Sequence, residues 1–141
     1  MSEEHYRPVV LVVEDEKYQR LYYQDELQDA GYRVLTAASG PEALDIIRRE
    51  HVDVIVLDIA MPGMDGVETL SRVLSIDRQI PVILNTAYSD FRDDYTTWSA
   101  EDYIIKSADP TELHKAVRRA LRKRGIEPPP PPDWLELDEE E

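Results

Sequence analysis

Acidic side chains stand directly after two apolar segments of this sequence of 141 residues. Glu14 and Asp15 follow the run VVLVV at 9–13, and Asp58 follows the run VDVIVL. Neighbouring carboxylates repel one another, and the repulsion grows where the dielectric constant is low. A solvated loop would relieve it for one pair, whereas three carboxylates in one crevice require a cation. Hard oxygen ligands of this kind favour Mg²⁺ or Mn²⁺.

Two further apolar segments end on side chains that complement these acids. Thr86 ends the segment PVILNT, and Lys106 ends the segment DYIIK. Each is ordinary when taken singly, because threonine is common in strands and lysine often ends one. Together, however, a cation site, a hydroxyl donor and an ammonium group are suited to binding a phosphoryl group, whose oxygens carry negative charge.

The apolar segments must be strands if they are to bring these side chains together. Helical patterns separate them, and this alternation predicts a parallel sheet covered by helices on both faces. Ligands of such sheets bind beyond the carboxyl ends of the strands, where the acids would meet if the first and third strands are neighbours. Strands are predicted at 9–13, 32–38, 52–58, 81–86 and 102–106. Helices are predicted at 14–31, 39–50, 65–76 and 109–125, with a short or irregular segment at 89–101 between the last two strands.

Composition limits the class of protein. The length suggests one domain, and the net charge of −14 argues against direct binding to nucleic acid, which needs clustered Lys and Arg. The basic cluster at 118–124 is assigned to the end of the last helix, where it complements the helix dipole. The chain contains no cysteine, and no apolar run approaches the ~20 residues of a membrane span. We therefore expect a cytoplasmic protein that does not associate with membranes.

The last residues differ in character from the rest, so we predict a domain at 1–125 and a proline-rich acidic tail at 126–141. Five consecutive prolines predict an extended polyproline II spacer. Trp134, Leu135 and Leu137 interrupt this polar composition and are costly to leave in water. The tail is either passively disordered or a docking segment that binds this chain or a partner.

The residues at the strand ends resemble those of the receiver domains of bacterial two-component response regulators. The matching residues are Glu14, Asp15, Asp58 within VIVLDIAMPGMDG, Thr86-Ala87 and Lys106. The resemblance covers about residues 8–124 and points to a stand-alone receiver of the chemotaxis or sporulation-relay type. It implies a flavodoxin-like doubly wound (βα)5 fold, with a five-stranded parallel sheet in the order 2-1-3-4-5.

The resemblance also implies a chemical role for the acids. Asp58 would accept a phosphoryl group, as an acyl phosphate, from a phosphohistidine on a sensor histidine kinase or a phosphotransfer protein. Mg²⁺, or Mn²⁺ in its place, would be held by Asp15, Asp58 and the backbone carbonyl of Ala60, with Glu14 acting mainly through water. The chain would then be a phosphorylation-switched signalling protein rather than an enzyme, with slow autodephosphorylation at most.

The switch itself involves three other residues. Thr86 and Lys106 would bind the phosphoryl oxygens, and Tyr103 matches the aromatic residue that turns inward when the threonine moves toward the phosphate. The signal would pass to a downstream protein through the face around the fifth strand. The resemblance is compatible with a monomer or with a phosphorylation-dependent homodimer.

The sequence departs from the family pattern at a few positions. Ser107 replaces a proline that the family joins to the lysine by a cis peptide, and a cis bond before a non-proline residue costs about 2.5–4 kcal/mol, so we expect a trans bond. Ala60 and Tyr88 occupy positions that tune phosphate lifetime. Ala60 cannot steer a water and Tyr88 could shield the phosphoryl group, which predicts a longer-lived phosphate. Trp98 lies in WSAED, which replaces the usual Gly-Ala.

Three other functions are compatible with part of the pattern. A haloacid-dehalogenase-like phosphatase also uses a strand-end aspartate and Mg²⁺, but it needs a second aspartate where this chain has Ala60. A flavodoxin-like mononucleotide-binding module needs a phosphate-binding loop where EDEKY would repel a phosphate. A phosphorylation-independent scaffold would keep the pocket as a relic. Ser107 favours this scaffold, and the complete set of acids, threonine and lysine opposes it.

Overall fold

The computed structural model describes residues 6–61, 66–87 and 100–137 and contains one sheet of five parallel strands. The strands are β1 (Val9–Val13), β2 (Arg33–Ala37), β3 (Val54–Leu57), β4 (Val82–Thr86) and β5 (Asp102–Ile105). The helices in the described ranges are α1 (Lys17–Asp29), α2 (Gly40–Arg49), α3 (Gly66–Ile76) and α4 (Thr111–Lys123). The strand order is β2-β1-β3-β4-β5, which confirms the predicted fold class.

The central strand β1 shows why the segments fold in this way. All five of its residues are buried, as expected for a parallel strand with helices on both faces. Leu11 and Val13 belong to the core cluster that α2 and α3 complete, whereas Val10 and Val12 belong to the cluster that α1 and α4 complete. Side chains alternate between the two faces of a strand, so one apolar run supplies both cores.

Local signals set the ends of the helices. The Ser39 hydroxyl accepts a hydrogen bond from Glu42 N and caps α2. Gly31 and Gly125 follow α1 and α4 at φ values of 100° and 75°, which glycine adopts without strain. Helix α4 begins at Thr111, two residues after the predicted start at 109, because Pro110 holds the N-cap position while Asp109 accepts from Thr111 N.

Some predictions fall outside the described residues. These are the turn at Pro62 and Gly63, Tyr88, Trp98 and most of the irregular segment at 89–101. Across the ranges that the structure does describe, no helix is both long enough and apolar enough to cross a membrane.

The part of the tail that the structure describes, residues 126–137, contacts the body of the protein. Leu135 is 6% exposed, and the Trp134 ring centroid lies 5.2 Å from that of His114 in α4. Arg118 Nη1 donates a hydrogen bond to the carbonyl oxygen of Pro129 at 2.7 Å. Of the two alternatives for the tail, the structure therefore shows docking on this chain.

Gly66, the first residue of α3, lies against the backbone of the loop after β3. Its N–H donates to Ile59 O at 3.1 Å. A Cβ at this position would lie 2.0 Å from Ile59 Cα and 2.8 Å from Asp58 O. These are backbone atoms that no rotamer change can move, so only glycine fits at this helix start.

We predict that Gly66→Ala destabilises the protein by about 3 kcal/mol, the upper end for inserting a group into a packed region. The free energy of unfolding in urea measures this effect. Ser71→Ala, at an exposed position of the same helix, is the matched control and should change the free energy little. Equal stability of the two variants would contradict the close approach at Gly66.

A buried carboxylate, Asp53, organises the opposite end of the sheet. Its oxygens accept hydrogen bonds from Tyr6 Oη at 2.6 Å and from Val9 N at 2.8 Å, and they lie 2.7 Å from His51 Nε2. Burial alone would raise the pKa of Asp53, but the bonds from Tyr6, Val9 N and His51 outweigh burial and lower it. Burial, together with the bond to Asp53, raises the pKa of Tyr6 to about 12.

The depressed pKa of Asp53 predicts a dependence of stability on pH. Its ionised form is favoured in the folded state, so its stabilisation is complete above its ordinary pKa of 3.8 and is lost as pH falls through the lower folded value. At pH 7, Asp53→Asn should cost about 1.5–3 kcal/mol. The cost, measured by urea unfolding, should shrink on acidification. The prediction is wrong if the loss of unfolding free energy in Asp53→Asn does not change with pH. It is also wrong if the exposed variant Asp77→Asn shows an equal loss.

Candidate phosphoryl-acceptor and metal site

Pairing of β1 with β3 brings the three predicted acids together. Val13 pairs with Leu57, so the residues that follow these two strands leave the sheet side by side. One carboxylate oxygen of each of Glu14, Asp15 and Asp58 lies within 4.8 Å of the others. Glu14 is 2% exposed and Asp58 is 7% exposed, whereas Asp15 faces solvent. The crevice is therefore lined by buried carboxylates and open at Asp15.

Lys106 supplies the positive charge at this crevice. It follows β5 directly, and its side chain is 12% exposed. Its Nζ donates hydrogen bonds to Glu14 Oε1 at 2.6 Å and to Asp58 Oδ2 at 2.9 Å. A third bond, at 2.5 Å, goes to Gln19 Oε1 in α1. The ammonium group thus uses its three donors on three side-chain oxygens.

The titration behaviour of the pair follows from burial and contact. Burial raises the pKa of the Glu14 carboxyl, and this effect exceeds the opposite influence of Lys106. Burial alone would lower the pKa of Lys106, but its hydrogen bonds to Glu14 and Asp58 raise it. Lys106 therefore stays protonated at neutral pH and offsets part of the repulsion among the acids.

The donor set suits a divalent cation. Three carboxylates around one point provide the hard oxygen ligands that Mg²⁺ prefers, and exposed Asp15 leaves a path for the ion and its waters. Glu16, the next acid along the chain, serves a different purpose. Its side chain accepts from Tyr18 N and Gln19 N and caps α1, so it is not part of the cluster.

The other predicted residues lie near the same edge of the sheet. Thr86 ends β4 and is fully buried, two residues beyond Leu84, which pairs with Leu57. Ala60 N donates to Asp58 Oδ1 at 3.0 Å and fixes the orientation of that carboxylate. The bond between Lys106 and Ser107 is trans.

Tyr103, the predicted switch residue, lies on β5. It is half-buried and packs against the core cluster that α2 and α3 complete. The structure shows one arrangement of these residues. The roles of Thr86, Tyr103 and the Ala60 carbonyl therefore remain predictions.

Two residues of the site were missed from the sequence. Gln19 accepts from Lys106, and Arg20 Nη1 donates to the backbone carbonyls of Glu14 at 2.8 Å and Asp15 at 3.2 Å. Both lie in the first turns of α1, which begins directly after the acids. Their positions four and five residues beyond Asp15 were a usable signal, because one helical turn returns the chain to the same side.

Comparison with protein families identifies a model that matches most of the chain. The model is described as the response regulator receiver domain and matches residues 10–118. A probable transcriptional regulator, ycf27 of Porphyridium aerugineum, is 40% identical over 116 residues, which are 81% of this chain and 48% of that protein. The sporulation initiation phosphotransferase F of Bacillus subtilis is 36% identical, over 79% of this chain and 92% of the relative.

Solved structures agree with the family match. The response regulator TrrA of Thermotoga maritima, crystallised with Mg²⁺-BeF, superimposes with a TM-score of 0.79 at 38% identity, covering 81% of this chain and 99% of that chain. TrrA in complex with the histidine kinase ThkA gives a TM-score of 0.76, over 81% of this chain and 98% of that chain. The chain spans about half the length of several curated relatives, such as the ycf27 protein.

Removal of the Lys106 charge should make the protein depend more strongly on a divalent cation. Lys106→Met leaves buried carboxylates without their partner, which should cost on the order of 3 kcal/mol. The rise in melting temperature on adding MgCl₂ should exceed that of wild type, because a ligand of the folded state stabilises by mass action. Lys123→Met, which removes a lysine paired with Glu101 away from the site, is the control. An identical Mg²⁺ response in all three proteins would contradict the assignment.

Proposed function

The chain belongs to the response regulator receiver domain family, and we propose that Asp58 is its phosphoacceptor. The single observation that carries the proposal is the contact of the Asp58 carboxylate with Lys106 Nζ at 2.9 Å, inside a cluster of three acids. No other carboxylate in the described ranges combines a strand-end position, such a cluster and a lysine partner.

The proposed reaction is transfer of a phosphoryl group from a phosphohistidine of a sensor kinase or phosphotransfer protein. An Asp58 carboxylate oxygen attacks phosphorus, an acyl phosphate O–P bond forms, and the N–P bond of the donor breaks. The leaving imidazole keeps the electron pair and is protonated from solvent. A bound Mg²⁺ would supply charge stabilisation at the phosphoryl oxygens. The kinase complex of TrrA supports this class of partner.

The residues of this chain have distinct tasks in that step. The hydrogen bond from Ala60 N orients one oxygen of Asp58 and leaves the other directed at Lys106. Lys106 can move its bond from Asp58 Oδ2 to a phosphoryl oxygen, because it remains anchored by Glu14 and Gln19. Burial of Glu14 and Asp58 strengthens each of these charge interactions, since water screens them less.

Phosphorylation would then act as a switch by shifting a population. The phosphoryl group of the acyl phosphate carries more negative charge than the free carboxylate, so it favours an arrangement in which Thr86 and Lys106 both bind it. Tyr103 would follow Thr86 inward and alter the face around β5, through which the signal reaches a downstream protein or a second copy. We further propose that Mn²⁺ can substitute for Mg²⁺, that autodephosphorylation is slow, and that Ala60 contributes to the long lifetime.

Intact-protein mass after incubation with acetyl phosphate and Mg²⁺ tests the acceptor. One adduct of about 80 Da is expected on the wild-type protein. Asp58→Asn and omission of the metal should each abolish it, whereas Asp77→Asn, an exposed aspartate outside the site, should leave it unchanged.

Two outcomes would argue for the alternatives. Folded, Mg²⁺-binding protein that gains no adduct would favour the phosphorylation-independent scaffold. Continuous release of inorganic phosphate at many turnovers per minute would favour a phosphatase, for which Ala60 provides no acid.

A further inference from the structure

The described tail, residues 126–137, lies in the groove between α1 and α4 and follows residues 10–118, which the family model matches. His114 of α4 and Glu26 of α1 face each other across this groove, with His114 Nε2 at 3.0 Å from Glu26 Oε1. The tail enters beside Gly31, at the end remote from the acids, and reaches His114 with Trp134. The chain thus turns back along the two helices toward the edge that carries Asp58.

One end of the tail is held by a proline. A Cβ at Gly31 would lie 2.8 Å from Pro129 Cβ, so the proline ring sits directly on the turn after α1. The carbonyl oxygen of Pro129 accepts from Arg118, which is 5% exposed and therefore buried beneath the tail. A charged hydrogen bond and a ring contact fix this end of the segment.

The other end is held by a pair of apolar side chains. Leu135 N donates a hydrogen bond to Pro132 O and closes a turn over residues 132–135. Trp134 and Leu135 both lie in this turn. The Trp134 ring meets the buried His114 ring edge-on, at an interplanar angle of 78°. Leu135 is 6% exposed, so it is buried as deeply as a core residue.

The packing of the first half of the tail is incomplete. A cavity of about 630 Å³ lies beside it, lined by Tyr6, Arg118, Arg122 and residues 125–131. Arg118 Nε is buried and has no hydrogen-bond partner in the part of the chain that the structure describes. A polyproline segment also forms no backbone ladder with the body. These features are typical of a bound ligand rather than of a core element.

Charge favours the same contact. The tail at 126–141 contains seven acids and no Lys or Arg. Arg118 and Arg122 lie at the groove and come from the basic end of α4. Opposite charges on a groove and its occupant increase the rate of association and select the partner.

We propose that the α1–α4 groove is a docking site for an extended, acidic, proline-rich segment with a Trp-Leu anchor. This chain's own tail fills the site in cis and shields that face from other proteins that carry such a segment. The proposal does not depend on phosphorylation of Asp58.

A fluorescently labelled peptide of residues 126–141 tests the site by anisotropy. The full-length protein carrying Trp134→Ala and Leu135→Ala should bind the peptide at least tenfold more tightly than wild type. In wild type the tethered tail competes at an effective concentration on the order of millimolar. A peptide with the same two substitutions should bind neither protein.

The matched control protein carries Ile76→Ala, which removes an exposed apolar side chain of α3 outside the groove, and should behave as wild type. Equal binding of the peptide to all proteins would overturn the proposal, as would no binding to the folded Trp134→Ala and Leu135→Ala variant. Loss of the folded state in that variant, seen by circular dichroism, would also overturn it, because the tail would then be part of the core.

Discussion

Repulsion among the carboxylates of Glu14, Asp15 and Asp58 is the constraint on which the rest of this structure depends. The parallel pairing of β1 and β3 forces the three acids to one edge of the sheet, where burial makes their mutual repulsion costly. Lys106 relieves it by reaching back from the end of β5. A cation or a phosphoryl group added to a site held in this balance would change the partners of the lysine.

Helix α1 joins two regions that serve different purposes. Its first turns supply Gln19 and Arg20 to the acid crevice, and its last residues form one wall of the tail groove. The helix α4 has the same arrangement, since it begins soon after Lys106 and carries His114 and Arg118 further along. The two helices are therefore rigid elements shared by the site and the tail, although each region is stabilised by its own contacts.

The sheet and the acid cluster were predictable from the sequence because both follow from short-range patterns. Apolar β-branched runs specify buried strands, and parallel strands carry their terminal residues to one edge. The contact of Tyr6 with Asp53 was not predictable, since it joins residues far apart in the sequence through side-chain rotamers. Gln19 carried only the signal of its position about one helical turn beyond Asp15. Docking of Trp134 could not be decided from the sequence either. The composition of the tail shows that exposing its apolar side chains to water costs free energy, but it does not show which groove would bury them.

The reversal of the chain after Gly125 determines where a label at the carboxyl terminus would lie. With a straight exit from α4, a fluorescent protein fused there would sit at the edge of the sheet where Asp53 lies. The docked tail instead carries Trp134 to the level of His114 and Glu26, toward the opposite edge. A fusion after Leu137 would thus lie nearer the edge that carries Asp58, whereas a tag placed directly before Tyr6 would begin at the remote edge.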